Sequence, residues 1–184
     1  MKKCSVISSL MLALCIIGIV IVHFNYNKNM NNQSIGASAK KVNKSVKSIN
    51  GLSELKNTAT TILEATPTGE TETRDYNGLP AIISKLTVIN VFKGKKDLKN
   101  IKILQIQEFD KKVEQNHKLL LFLREGIDNP DCYVVIGDTS QGIYEIISNG
   151  SENTVKAFDE ANSNNSILKD LSGNYENLKT ILEN

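Results

Sequence analysis

An apolar run from Val6 to Val22, free of Asp, Glu, Lys and Arg, constrains this chain more than any other feature. With Ser5 at one end and His23-Phe24 at the other, it is about as long as a helix needs to cross a ~30 Å hydrocarbon core at ~1.5 Å per residue. Lys2 and Lys3 precede it, so the positive-inside rule places the N-terminus in the cytoplasm and everything after Phe24 outside. The expected arrangement is a single-pass protein of the cell membrane, with residues 1–24 as a cytoplasmic stub and signal-anchor helix.

Three fates compete for this segment. A cleavable signal needs a shorter apolar region and small residues soon after it. Ala37-Ser38-Ala39 has the right form but lies well beyond Phe24. A lipoprotein signal needs a small residue just before the lipidated Cys, whereas Leu12-Ala13-Leu14-Cys15 places Leu14 there and stays apolar to Val22. The uncleaved anchor is the expected form, and it makes the membrane the first partner.

Residues 25–50 are rich in Asn, Lys and Ser without apolar periodicity, the composition of a flexible linker. From Asn25 to Asn57 six lysines face Glu54 alone. This basic stretch either serves as a solvated spacer or touches a polyanion such as wall polymer or lipid headgroups. The whole chain carries only +2 and has no Trp, which argues against nucleic acid as a partner. Cys132 is the single Cys past the apolar run, so no disulfide forms within the domain. It is expected as a small buried hydrophobe at a strand start.

Short β-branched runs follow at Thr58–Glu64, Ala81–Phe92, Ile101–Gln107, Leu119–Leu123, Tyr133–Ile136, Gly142–Ile147 and Thr154–Phe158. Their separators are turn formers: Asn77-Gly78-Leu79-Pro80, Lys93-Gly94, Glu125-Gly126, Asn129-Pro130-Asp131 and Asn149-Gly150. This spacing predicts a mainly β barrel or sandwich over residues 51–160. A short helical turn at Leu52–Leu55 precedes it. Leu119–Leu123 is apolar on both faces, which predicts a central strand with a helix over one side. Over residues 161–184 the apolar positions Ile167, Leu168, Leu171, Tyr175, Leu178, Ile181 and Leu182 recur at helical steps. That predicts a C-terminal helix packed on the strands, with Asn165 or Ser166 as N-cap and Gly173 a point of division.

The run Leu86-Thr87-Val88-Ile89-Asn90-Val91-Phe92-Lys93-Gly94, then Ile101–Ile106, then His117-Lys118-Leu119-Leu120-Leu121-Phe122-Leu123, resembles the netrin-like domain. That domain is the OB-type barrel of the tissue inhibitors of metalloproteinases. A similar pattern occurs in membrane-anchored proteins of Gram-positive bacteria, where Gly-Gly-x-Gln-Gly and an aromatic commonly follow. Here Gly137 to Tyr144 occupies that place. The resemblance covers about Thr58 to Phe158 and implies an OB-like barrel of five to seven strands with a C-terminal helix. It departs in three ways. The animal members are laced with disulfides. Their inhibition uses a free N-terminal Cys on the target's zinc, which this chain lacks. Asn116 and Leu119 replace the Gly and Tyr before the Leu-Leu-Phe run. Inhibition therefore does not carry over from the resemblance.

Gln141, Gly142 and Tyr144 are the candidate ligand-binding residues, on a barrel rim where OB-type folds bind. The competing expectation is a tight connection that needs Gly for positive φ, with Gln141 satisfying loop backbone. No phosphate loop, H-E-x-x-H or paired-Cys zinc spacing occurs. His117 is the one His beyond His23, too few for a two-His metal site. Asp128 and Asp131 offer too few ligands for a loop-type calcium site. The expectation is therefore no catalytic residue, no metal and no cofactor. The chain reads as a non-enzymatic, membrane-tethered extracytoplasmic binding module for a protein, a peptide or an anionic wall polymer. The alternatives are a surface hydrolase with an unrecognised site and an inhibitor of a surface protease.

Overall fold

The computed structural model describes residues 48–127, 131–137, 141–150, 152–159, 166–171 and 179–182. The apolar run Val6–Val22, most of the basic stretch, Cys4, Cys15, Asp128, Asn165 and Gly173 lie outside them. Among the described residues no helix is long and apolar enough to cross a membrane.

Helix α1 (Leu52–Thr58) is followed by strands β1 (Thr61–Tyr76), β2 (Leu79–Lys93), β3 (Asn100–Ile106), β4 (Lys118–Glu125), β5 (Tyr133–Val135), β6 (Ile143–Asn149) and β7 (Glu152–Ala157), then by helix α2 (Ser166–Leu171). Residues 179–182 add a helical turn. The protein is mainly β, and each expected run lies in or overlaps a strand. Turn chemistry sets the first hairpin. Asn77 and Gly78 both take positive φ, 54° and 82°, the pair a two-residue type I′ turn requires. The Asp75 carboxylate accepts the Gly78 N–H at 2.9 Å.

β1 differs most from expectation. Its second half is polar and holds Pro67 and Gly69, so the apolar pattern ends near Ala65 although the strand continues to Tyr76. The ladder with β2 slips between Pro67 and Thr71, and Pro is tolerated at such a bulge. Gly69 sits in the bulge at φ 87°, and Gln115 donates to the Thr68 carbonyl at 2.6 Å. The long strand then resumes its pairing with β2.

The sheet order is β1-β2-β3-β5-β4-β6-β7, with β1 also paired to β4. Five strands therefore form a closed circuit, β1-β2-β3-β5-β4-β1, and the β6–β7 hairpin extends from β4. All pairings are antiparallel except β3 with β5. β4 is the central strand that its two-faced apolar sequence predicts. One edge carries β1. The other carries β5 and β6 in succession. Leu119, Leu121 and Leu123 join the layer inside the circuit. Leu120 and Phe122 face the second layer, under Leu52 and Leu55 of α1 and Ile167 and Leu171 of α2. Each fully buried side chain of this kind contributes about 1.5–3 kcal/mol.

Helix ends follow from what their polar groups meet. Glu54 accepts the Asn50 N–H at 3.0 Å, which fixes the start of α1. Ser166 is not the N-cap the sequence suggests. It is the first residue of α2, and its hydroxyl donates to the Asn50 carbonyl at 2.9 Å, tying α2 to the start of α1. Among the described residues one charge is buried in the outer layer: the Glu64 side chain is 4% exposed, with the Lys118 ammonium 3.3 Å away.

Candidate binding surface

β5 and β6 lie along one edge of β4 as if they were a single interrupted strand. Val135 pairs with Leu123, and Ile143 pairs with Leu121. Between them Phe122 bonds both sides of a neck, its carbonyl accepting the Ile136 N–H at 3.1 Å and its N–H donating to the Gly142 carbonyl at 2.8 Å. A Cβ on Gly142 would lie 2.7 Å from the Ile136 carbonyl oxygen and 2.9 Å from that of Phe122. Glycine is needed here because two backbones approach closely, not for its φ.

Gln141 is buried against the start of the domain. Its Oε1 accepts the Ile49 N–H at 2.9 Å, and its Nε2 donates to the Ile49 carbonyl at 3.1 Å. The side chain thus pairs with Ile49 as a neighbouring strand would. Tyr144, fully buried, donates its hydroxyl to the Gln141 carbonyl at 2.6 Å and meets Phe122 edge-to-face. The structure turns the side chains of Gln141 and Tyr144 inward. Their geometry matches the backbone-satisfying expectation: they clamp the chain at Ile49. Replacing Gln141 with Leu strands both polar groups of Ile49, and a buried unsatisfied group costs about 1–3 kcal/mol. Chemical denaturation of Gln141→Leu is expected to show a loss of that size with an unchanged m-value.

His117 Nδ1 lies 2.8 Å from Glu145 Oε1, and Lys156 Nζ lies 3.0 Å from the other carboxylate oxygen. Burial alone would raise the Glu145 carboxyl; the hydrogen bonds from Lys156 and His117 outweigh it and hold the group below its ordinary value of 4.5. A carboxylate depressed by folding stabilises the fold above its unfolded value and loses that contribution as pH falls through the folded one. The melting temperature should therefore decline below about pH 4.5, less steeply in Glu145→Gln than in the native chain.

The structure also assembles a surface that the sequence does not announce. The outer face of β1, β2 and β3 holds a recess of about 130 Å³ lined by Glu70, Thr71, Glu72, Ile83, Lys85 and Lys102. Ion pairs rim it. Lys85 meets Glu70 at 3.1 Å. Arg74 holds Glu72 at 2.6 Å and grips both oxygens of Asp131, at 3.2 and 3.3 Å. Lys102 approaches Asp131 at 3.7 Å. The hydrogen bonds from Arg74 push the Asp131 carboxyl below its ordinary range. Asp131 is thus committed to cations of the protein, and no cluster of metal-ligating side chains occurs among the described residues. Cys132, next to it, is buried as expected, and burial pushes its thiol up. These residues come from three strands and a loop. Their only sequence signal is alternating charge in Glu70–Asp75, which also describes any solvated strand.

Comparison of the chain with family models, with curated proteins and with solved structures finds no match.

Proposed function

We propose that this chain is a membrane-tethered extracytoplasmic binding module without enzymatic activity, built on an OB-type barrel of the netrin-like kind. The observation that carries this reading is the circuit β1-β2-β3-β5-β4-β1 with a recess on the outer face of β1, β2 and β3. OB-type barrels are five-stranded, and they bind ligands across strands 2 and 3 and the adjoining loops. The resemblance gains support from Asn116, which stands where the netrin-like pattern has Gly. It takes φ 68°, a conformation that Gly adopts freely and Asn tolerates better than most residues.

The recess also helps choose among ligands. Its charges are of both signs and already paired, around an apolar floor at Ile83. A polyanion gains little from such a face. A peptide or protein segment with its own mixed charges can exchange ion pairs with it and cover Ile83. The proposed ligand is therefore a protein or peptide outside the membrane. The test is a photo-crosslinking residue at Thr71 or Lys102 in the full chain in intact cells, with Gly150 as control. The expected result is one discrete protein adduct from the first two positions and none from the third. Equal labelling at all three, or none at the recess, contradicts the reading. In the same cells, external protease should remove the domain while a cytoplasmic control survives.

A further inference from the structure

The end of the circuit where β1 begins is basic. The end of β2 and the β2–β3 connection carry Lys93, Lys95, Lys96 and Lys99 against Asp97 alone, all of them exposed. Register brings other cations to the same end. Ile62 pairs with Lys93, and Thr61 pairs with Leu123. A Cβ on Gly94 would lie 3.0 Å from Thr61 Oγ1. Arg124, exposed, follows Leu123 directly. Lys93 donates to the Lys56 carbonyl at 2.8 Å, so the last turn of α1 reaches this end too. Beyond Arg124 stands Ile127, which at 82% is the most exposed large hydrophobic side chain among the described residues.

Some of these lysines have structural work. Lys96 donates to the carbonyls of Val91 at 2.6 Å and Phe92 at 3.1 Å. Lys95, Lys99 and Arg124 have no side-chain hydrogen bond or ion pair among the described residues, and Ile127 has no apolar cover there. The cations at this end, Lys93, Lys95, Lys96, Lys99 and Arg124, outnumber its exposed acids Asp97 and Glu125. An excess of cations at the same end as an exposed apolar side chain matches the interfacial zone of an anionic membrane, where ammonium groups meet headgroup phosphates and the apolar group enters the acyl boundary.

The path of the chain argues for the same occupant. Gln141 clamps Ile49 beside the neck at Phe122, two residues before Arg124. The chain therefore joins the domain near its basic end. The stretch from Asn25 to Ser48 can span at most roughly 80 Å, the covalent limit of a fully extended chain. Screening limits the attraction to about 8 Å at physiological salt, so only a surface held close is felt. We infer that Lys95, Lys99, Arg124 and Ile127 form a docking surface for anionic phospholipid headgroups of the membrane that holds the chain. Docking would fix the orientation of the domain and leave the recess on β1, β2 and β3 to its ligand. The inference rests on the anchor assigned to Val6–Val22.

Amide hydrogen exchange of the full chain tests it, in nanodiscs of neutral phosphatidylcholine and in nanodiscs containing phosphatidylglycerol. The expected result is that exchange across 95–99 and 124–127 slows at least roughly tenfold in the anionic discs. The protection should disappear in 1 M NaCl and in the Lys95→Glu, Lys99→Glu, Arg124→Glu variant. An unchanged melting curve for that variant keeps a folding defect apart from lost docking. Equal exchange in both discs overturns the inference. So does soluble polyphosphate that protects the loops in neutral discs as strongly as anionic lipid does, since the site then serves polyanions in general. Failure of the chain to co-elute with either disc refutes the anchor instead. Flotation with phosphatidylglycerol vesicles then decides docking: salt-sensitive flotation supports the lipid surface, and its absence overturns it.

Discussion

Leu121→Ala should lower the stability of the domain by about 2–5 kcal/mol, the range for emptying a buried leucine site. Leu121 is fully buried, and β4 places it between Leu63 on β1 and Ile143 on β6. Strands on both edges hold their backbones by ladder bonds, so the space cannot close by moving one neighbour. A domain of this size has only about 5–15 kcal/mol in all. Soluble yield should therefore fall sharply, and urea denaturation should place the midpoint well below that of the native chain. Native-like unfolding in the mutant would show that β4 is not the buried centre of the fold.

Gly142→Ala should be nearly as damaging, although it adds a single methyl group. The added Cβ would meet two backbone carbonyl oxygens, at 2.7 and 2.9 Å. Neither can retreat without disturbing the bonds by which Phe122 holds Ile136 and Gly142 together. Overpacking costs about 1–3 kcal/mol when side chains can adjust, and a clash with hydrogen-bonded backbone belongs at the top of that range. Gly51 provides the contrast, because nothing lies within 4 Å of a Cβ placed there. Gly51→Ala should change stability by no more than about 0.5 kcal/mol. Thermal melts of the two variants side by side measure the difference. Equal melts would mean that the neck is looser than its hydrogen bonds indicate.

Strand positions were legible in the sequence because most strands bury at least one face, which leaves β-branched and leucine runs between turn residues. β4 was the clearest, since burial on both faces removes polar residues altogether. The second half of β1 was hidden for the opposite reason. From Gly69 to Tyr76 it has a ladder partner only in β2 and is largely exposed, so its sequence resembles a loop. Of the two cap candidates, Ser166 is the first residue of α2, and its hydroxyl donates to the distant Asn50 carbonyl, a partner that sequence does not indicate. The site was less legible than the fold. Gln141 and Gly142 stood out by residue type, yet whether Gln141 faces a ligand or its own chain depends on Ile49, about ninety residues earlier. The recess was invisible, because cross-strand register rather than sequence proximity brings Glu70, Lys85, Lys102 and Asp131 together.

The account depends most directly on closure of the strand circuit, and the parallel contact between β3 and β5 is its shortest link. Only Ile103 with Tyr133 and Leu104 with Val134 make it. Nuclear Overhauser contacts between the backbones of these residues, measured in the isotope-labelled full chain, test it. The account predicts cross-strand contacts in parallel register for both pairs, together with slow exchange of the amides that bridge them. If β2–β3 and β4–β5 contacts are present but those between Leu104 and Val134 are absent, the circuit is open, and the barrel reading with its proposed binding face is wrong.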